Sequence, residues 1–229
     1  MLRLLLVALL ALAPVAAGCG GDDDEGGATS QPTQAAPPAS TPGTGATAPI
    51  APGPQTPTVE QIRASLLTED DVGDGWEGGP VADDENATSL CGLGRLDAGA
   101  VADADVRFVN GDLQAIVGHG VNAYRAGSAQ QVMSEAATAF ADCEQETEDG
   151  RARIRLSALP APDLGDEALA FRLESEEEGV VDAGELLLVR RGGLVALLLY
   201  IGDTPEVDRA LVDRLAGTVD QRLTTLAGG

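Results

Sequence analysis

Read from residue 58 onward, the chain changes its hydrophobic period several times, and each change marks an element. Thr58-Val59-Glu60-Gln61 has the spacing of a capping box, with Ile62 and Leu66 following on one face of a short helix. Leu113 to Arg125 alternates with the period of a strand. One face carries Leu113, Ala115, Val117, His119, Val121 and Ala123; the other carries Ile116, Gly118, Gly120, Asn122 and Tyr124. The pattern allows a shorter strand ahead of it, around Val106 to Val109. Ser128-Ala129-Gln130-Gln131 then opens a helix with a second capping box, and its apolar stripe is Val132, Ala136, Phe140 and Cys143.

Further strands are predicted at Ala152–Leu156, Ala168–Leu173, Gly184–Arg190 and Leu194–Ile201. The last has no polar break, which predicts burial on both faces and a central place in the sheet. Gly192-Gly193 reads as a hairpin turn with Arg190-Arg191 at its tip. The acidic run Glu174–Glu178 reads as a solvated turn. A final helix is expected from Asp203-Thr204-Pro205-Glu206 to about Leu226, burying Val207, Leu211, Leu215 and Val219. Hairpin-linked strands with helices before, within and after them predict an α+β domain. Its mostly antiparallel sheet should be flanked by helices on both faces.

The pattern before residue 58 is of another kind. Leu4 to Ala17 is one apolar stretch behind Arg3. A helix of that length reaches only about 21 Å, short of the roughly 30 Å hydrocarbon core, so it reads as a signal peptide over 1–18. Val15-Ala16-Ala17-Gly18-Cys19 resembles the bacterial lipobox, which implies acylation of Cys19 and cleavage just before it. The alternative is an ordinary signal peptidase site with Cys19 incidental. Residues 19–57 are rich in Gly, Ala, Ser, Thr and Pro, and open on Asp22-Asp23-Asp24-Glu25. Such a segment buries too little apolar surface to offset its ordering entropy. It is expected to be a disordered spacer reaching on the order of 100 Å, with hydroxyls open to O-glycosylation. One folded domain then spans 58–229.

Composition narrows the chemistry. Aromatic residues are only 3% of the chain, so the core must be aliphatic. Every basic residue is Arg, which excludes Schiff-base lysine chemistry and the P-loop lysine. A formal charge of −23 argues against nucleic acid and against electrostatic adhesion to anionic lipid. Of the three cysteines, lipidation of Cys19 leaves Cys91 and Cys143, an even pair for a disulfide in an oxidising compartment. Two separate buried thiols are the alternative.

No constellation here carries catalysis. His119 is the one histidine; it interrupts an apolar strand face and reads as a hydrogen-bonded core imidazole more readily than as a catalytic base. No G-x-S-x-G elbow accompanies it, and neither a metal site nor a cofactor is expected. Gly118-His119-Gly120-Val121-Asn122-Ala123 fits a dinucleotide fingerprint in letters, but the strand continues where a helix should begin. The acidic turn Thr68 to Trp76 has carboxylates at the wrong offsets for a calcium loop. Gly118 and Gly120 clear side chains from mid-sheet beside Tyr124, leaving room for a packed element or a ligand. Trp76 reads as a lid over the core edge or as a binding platform. Gly118, Gly120, Tyr124 and Trp76 are the candidate ligand-binding residues.

Several short strings carry a resemblance. They are Leu66-Leu67-Thr68-Glu69-Asp70-Asp71-Val72-Gly73-Asp74-Gly75-Trp76, the Cys91 and Cys143 pair, Leu159-Pro160, Leu164-Gly165-Asp166-Glu167-Ala168 and Leu187 to Val195. With the helix after Asp203, they resemble actinobacterial lipoproteins with an extracellular sensor-type domain. That group is loosely like the external domain of the mycobacterial serine/threonine kinase H. The resemblance implies an antiparallel sheet flanked by helices, with a cleft for a ligand or an envelope component, and it supplies no catalytic residues. The kinase relative carries a second disulfide for which this chain has no cysteines. The expectation is an exported module held by a lipid on the outer face of the cell membrane. It would bind a small or lipidic ligand; the alternative is an accessory protein that docks on an envelope partner, with an enzyme a distant third.

Overall fold

The computed structural model describes residues 56–228, apart from 82–89, 92, 94–95, 112–113, 126, 148–149, 151 and 205. The expected signal peptide, Cys19 and nearly all of the expected spacer lie outside those residues. The chain order is α1 (Val59–Ser65), α2 (Glu69–Val72), β1 (Trp76–Pro80), β2 (Ala102–Asn110), β3 (Ala115–Ala123) and α3 (Ser128–Phe140). β4 (Glu144–Glu146), β5 (Ala152–Leu159), β6 (Glu167–Glu177), β7 (Val180–Arg191), β8 (Leu194–Gly202) and α4 (Arg209–Gly228) follow. The strands form one eight-stranded antiparallel sheet in the order β1-β2-β3-β8-β7-β6-β5-β4. It is two meanders, β1–β3 and β4–β8, joined where β3 pairs with β8.

The helices cover opposite halves of opposite faces. On one face α1, α2 and α4 pack on β2, β3, β8 and β7, burying Ile62, Phe108, Val117, Val121, Leu187 and Leu198 with the Leu211, Leu215, Val219 and Leu223 stripe of α4. On the other face α3 packs over β5 to β8, burying Met133, Ala136 and Phe140 against Leu156, Phe171, Leu186, Leu188 and Val195. The two remaining quarters of the sheet are polar or half-buried. Beside α4, β4 to β6 carry a ladder of Glu144, Glu146, Arg153, Arg155, Arg172 and Glu174. Beside α3, the open quarter is built from β1, β2, β3 and the far end of β8.

The expected α+β class, the order of the long elements and the central place of β8 all stand. Several details differ. Glu174 to Glu177 belong to β6, because the β6–β7 hairpin closes on the two-residue turn Glu178-Gly179, whose φ values of 51° and 81° are both left-handed. Gly127, in a left-handed conformation, caps α3 in place of the capping box read at Ser128. Met133, not Val132, is the buried residue of its second turn. α4 starts at Arg209, where the Asp208 carboxylate accepts from Leu211 N–H at 3.0 Å, so Val207 precedes the helix. β8 is fully buried on the α4 face, but Leu197, Leu199 and Ile201 on the other face are only half-buried. Cys91 and Cys143 form a disulfide, with Cα atoms 5.7 Å apart, that ties the segment before β2 to the end of α3.

Candidate functional site

The open quarter begins in the alternation of β2. Ala102, Val106 and Phe108 are buried under α1, which turns Asp103, Asp105, Arg107 and Val109 to the α3 side. Strand register sets two rows across that side. One runs Gly79, Arg107, Gly118, Leu199; the next runs Glu77, Val109, Ile116, Ile201. Val109, Ile116, Gly118, Leu199 and Ile201 are half-buried, and Leu199 and Ile201 pack at the margin of the α3 cluster. At the β1 margin the relief is a shallow depression of about 240 Å³ lined by Glu77, Gly78, Gly79, Pro80, Val81, Arg107 and Val109.

The two glycines of β3 differ. A β-carbon on Gly120 would collide with the Asp105 carboxylate, so that position is already filled from the neighbouring strand and not by a helix. A β-carbon on Gly118 would meet only Leu199 Cβ, at 3.7 Å, an ordinary contact. Tyr124, just past β3 on the same face, is buried, and its O–H donates to the Leu96 carbonyl. Burial, with the Asp97 and Asp103 carboxylates adding to it, pushes that phenol well above its ordinary range. Tyr124 therefore fastens the 96–100 segment over the polar end of the quarter. Trp76 lies on the opposite face, half-buried against the α1 and α4 core. Gly118, Gly120 and Tyr124 are thus brought to one face, and Trp76 is not.

His119 points the other way, into the core beneath α1 and α4, and is 2% exposed. Leu67 N–H donates to its Nδ1 at 3.1 Å, which places the proton on Nε2. Nε2 is buried without a partner among the described residues. Burial, reinforced by the Arg222 guanidinium and only partly opposed by Asp71, lowers its pKa to about 3, so the ring is neutral. The acidic turn beside it is a clasp. Arg222 Nη2 donates to both Asp71 oxygens at 2.7 and 2.8 Å, Nη1 reaches the Leu66 carbonyl, and Arg214 reaches the Asp71 and Val72 carbonyls. Asp71 also accepts from Thr68 N–H and Oγ1 at 2.7 and 2.8 Å. Burial pushes the Asp71 carboxyl up, but the Thr68 bonds and Arg222 outweigh it and hold the group below its usual range. Of the turn's carboxylates, Asp71 forms this clasp and Glu69 accepts from Gly78 N–H, and no group of metal-binding side chains occurs among the described residues.

A buried acid, Glu185 on β7, meets Arg209 at 2.7 Å in the first turn of α4. Burial raises its pKa despite Arg209. The strings that carried the resemblance are mostly connectors of this sort: Asp166 and Glu167 hold Arg190, and Asp220 holds Arg191 and Gly165 N–H. Sequence reading missed Arg107, Val109, Leu199 and Ile201 as neighbours of Gly118. Their signal was present in the alternation of residues 102–110, but only strand register joins them.

The fold has a solved counterpart. The chain aligns with the extracellular domain of PknH from Mycobacterium tuberculosis at a TM-score of 0.58, covering 76% of this chain and 100% of that one. The likeness is one of fold. Identity to the PknH domain is 14%, so the resemblance expected from scattered strings holds for architecture, and residues are not carried over. A second structure, LpqN of Mycobacterium tuberculosis, involved in cell envelope biogenesis, aligns at a TM-score of 0.24 and 14% identity, over 76% of this chain and 84% of that one. No family model and no curated protein sequence matches the chain.

Proposed function

We propose that the chain is an exported lipoprotein, held by Cys19 on the outer face of the cell membrane, whose domain binds without turnover through the open sheet quarter around Gly118. The carrying observation is the staggered helix cover. It leaves Val109 and Ile116 half-buried beside a glycine at which a β-carbon would meet only an ordinary contact. The PknH-like fold and the signal-and-lipobox pattern support the address. Among the described residues no helix is long and apolar enough to cross a membrane, which suits attachment through lipid. The shallow relief favours a partner's surface over an engulfed small ligand, since enclosed ligand sites run to about 300–1,000 Å³.

Two measurements test this. Cys19→Ala should lose the acyl mass and leave the detergent phase; an unchanged mass and partitioning would refute the anchor. Hydrogen exchange on intact membranes should slow at residues 107–109, 116–118 and 199–201 relative to the purified protein. Equal exchange in both would remove the binding face. Turnover of generic ester or peptide substrates that His119→Gln abolishes in a still-folded protein would replace binding with catalysis.

A further inference from the structure

We infer that residues 58–72, which hold α1 and α2, form a strap that unlatches from β3 and α4 as a unit in mild acid, with His119 as its trigger. The strap joins the sheet through Gly73-Asp74-Gly75, whose glycines are left-handed, at φ 103° and 84°, with open space where side chains would stand. Such a turn can change conformation without collision. Arg222 and Arg214 of α4 grip the Asp71 carboxylate and the Leu66, Asp71 and Val72 carbonyls. Glu69 takes Gly78 N–H, and Ile62, Leu66, Leu67 and Val72 are buried in the cluster that holds Val106, Phe108, Val117 and Val121. The remaining hold, Leu67 N–H on His119 Nδ1 at 3.1 Å, is the one that acid breaks. Nδ1 accepts only while the imidazole is neutral; an imidazolium would set a second N–H against that of Leu67. Nε2 is buried with no acceptor among the described residues, so the charged ring gains nothing there. The charged groups facing the ring are Arg222 from α4, which repels an imidazolium, and Asp71 from α2, which Arg222 already engages through both oxygens. α1 turns Glu60 and Arg63 to solvent, and β2 and β8 set Val106 and Leu198 beside the ring in register. A protonated His119 is therefore accommodated only with the strap off, where water reaches it. Asp71 stays ionised throughout mild acid, because its carboxyl is held below its usual range, so the arginine clasp does not itself respond. Unlatching uncovers the apolar floor of Val106, Phe108, Val117 and Val121 and frees Gly78 N–H at the β1 edge.

Hydrogen exchange of the full-length protein, corrected for the intrinsic rate at each pH, tests the strap and its trigger separately. If the strap opens on its own, the Leu67 and Val72 amides should be less protected than those of β8 and the middle of α4 at every pH. The opening takes up one proton on a ring of ordinary pKa 6.5 when open and about 3 when closed, so it should become about thirtyfold more frequent between pH 7.5 and 5. Strap protection in the wild type should fall by that factor, and in His119→Gln it should not change with pH. Equal protection of the strap and β8 amides would mean that the strap opens only when the whole domain unfolds, and it overturns the unit. Strap protection that is flat with pH in the wild type overturns the trigger, whether or not the variant folds. A full thirtyfold fall kept in a folded His119→Gln protein does the same.

Discussion

A neutral imidazole deep in a core makes stability depend on pH in a definite direction. His119 has a folded pKa of about 3 against 6.5 when unfolded, so only the unfolded chain takes up the proton between those values. Its contribution is whole above pH 6.5 and is lost progressively as pH falls toward 3, at about 1.4 kcal/mol per unit. At pH 7.5, His119→Gln should cost about 1–2 kcal/mol through the weakened bond to Leu67 N–H. At pH 5 the wild type loses about 2 kcal/mol that the variant does not, so the gap should close or reverse. Urea midpoints at the two pH values check this; a constant gap would mean that His119 is not buried neutral. Asp71 runs the other way. Its lowered pKa means its stabilisation is present above 3.8 and lost as the pH falls below it. Asp71→Asn should destabilise by about 1–3 kcal/mol at neutral pH, a deficit in melting temperature that fades in acid.

Among the elements, those with a strong period were legible and those built by register or by turns were not. β8 reads from its apolar run, and α4 from the spacing of Leu211, Leu215 and Val219. β1 does not read, because Trp-Glu-Gly-Gly-Pro has poor strand propensity and is held as an edge by pairing with β2. β2 was glimpsed only at Val106–Val109, since Asp103 and Asp105 disfavour a strand locally although their alternation fits one. The site was legible in part: Gly118 marks it, but its neighbours come from β1, β2 and β8, and no window of sequence contains them. The Cys91–Cys143 link belongs to this scale as well. It closes a sequence separation of 52 and should stabilise the domain by about 4 kcal/mol in the chain-entropy model. Reduction should lower the denaturation midpoint accordingly, and a Cys91→Ser, Cys143→Ser protein should already sit at the lower value and ignore reductant.

For the whole molecule, the sheet has two edges and both are blunted. At β1, the outward Gly78 N–H is taken by the Glu69 carboxylate at 3.2 Å, and Pro80 has no N–H to offer. At β4, the edge is three residues long and two of them are Glu. The domain should therefore be monomeric by light scattering, and Glu69→Ala with Pro80→Thr should promote association that the wild type resists. A stable wild-type dimer would show that the edges are not protected in this way.

The joining of the two meanders through β3 and β8 also governs when the domain can form. A chain threaded through a membrane N-terminus first delivers β1, β2 and β3 long before β8 exists to pair with them. The core on that side also needs α4, the last helix of the chain. The early meander therefore has no closed state of its own, and long-range pairing of this kind is slow even when both partners are present. On the proposed export route, folding waits until β8 and α4 have crossed, and the apolar strands of the early meander stay exposed in the interval.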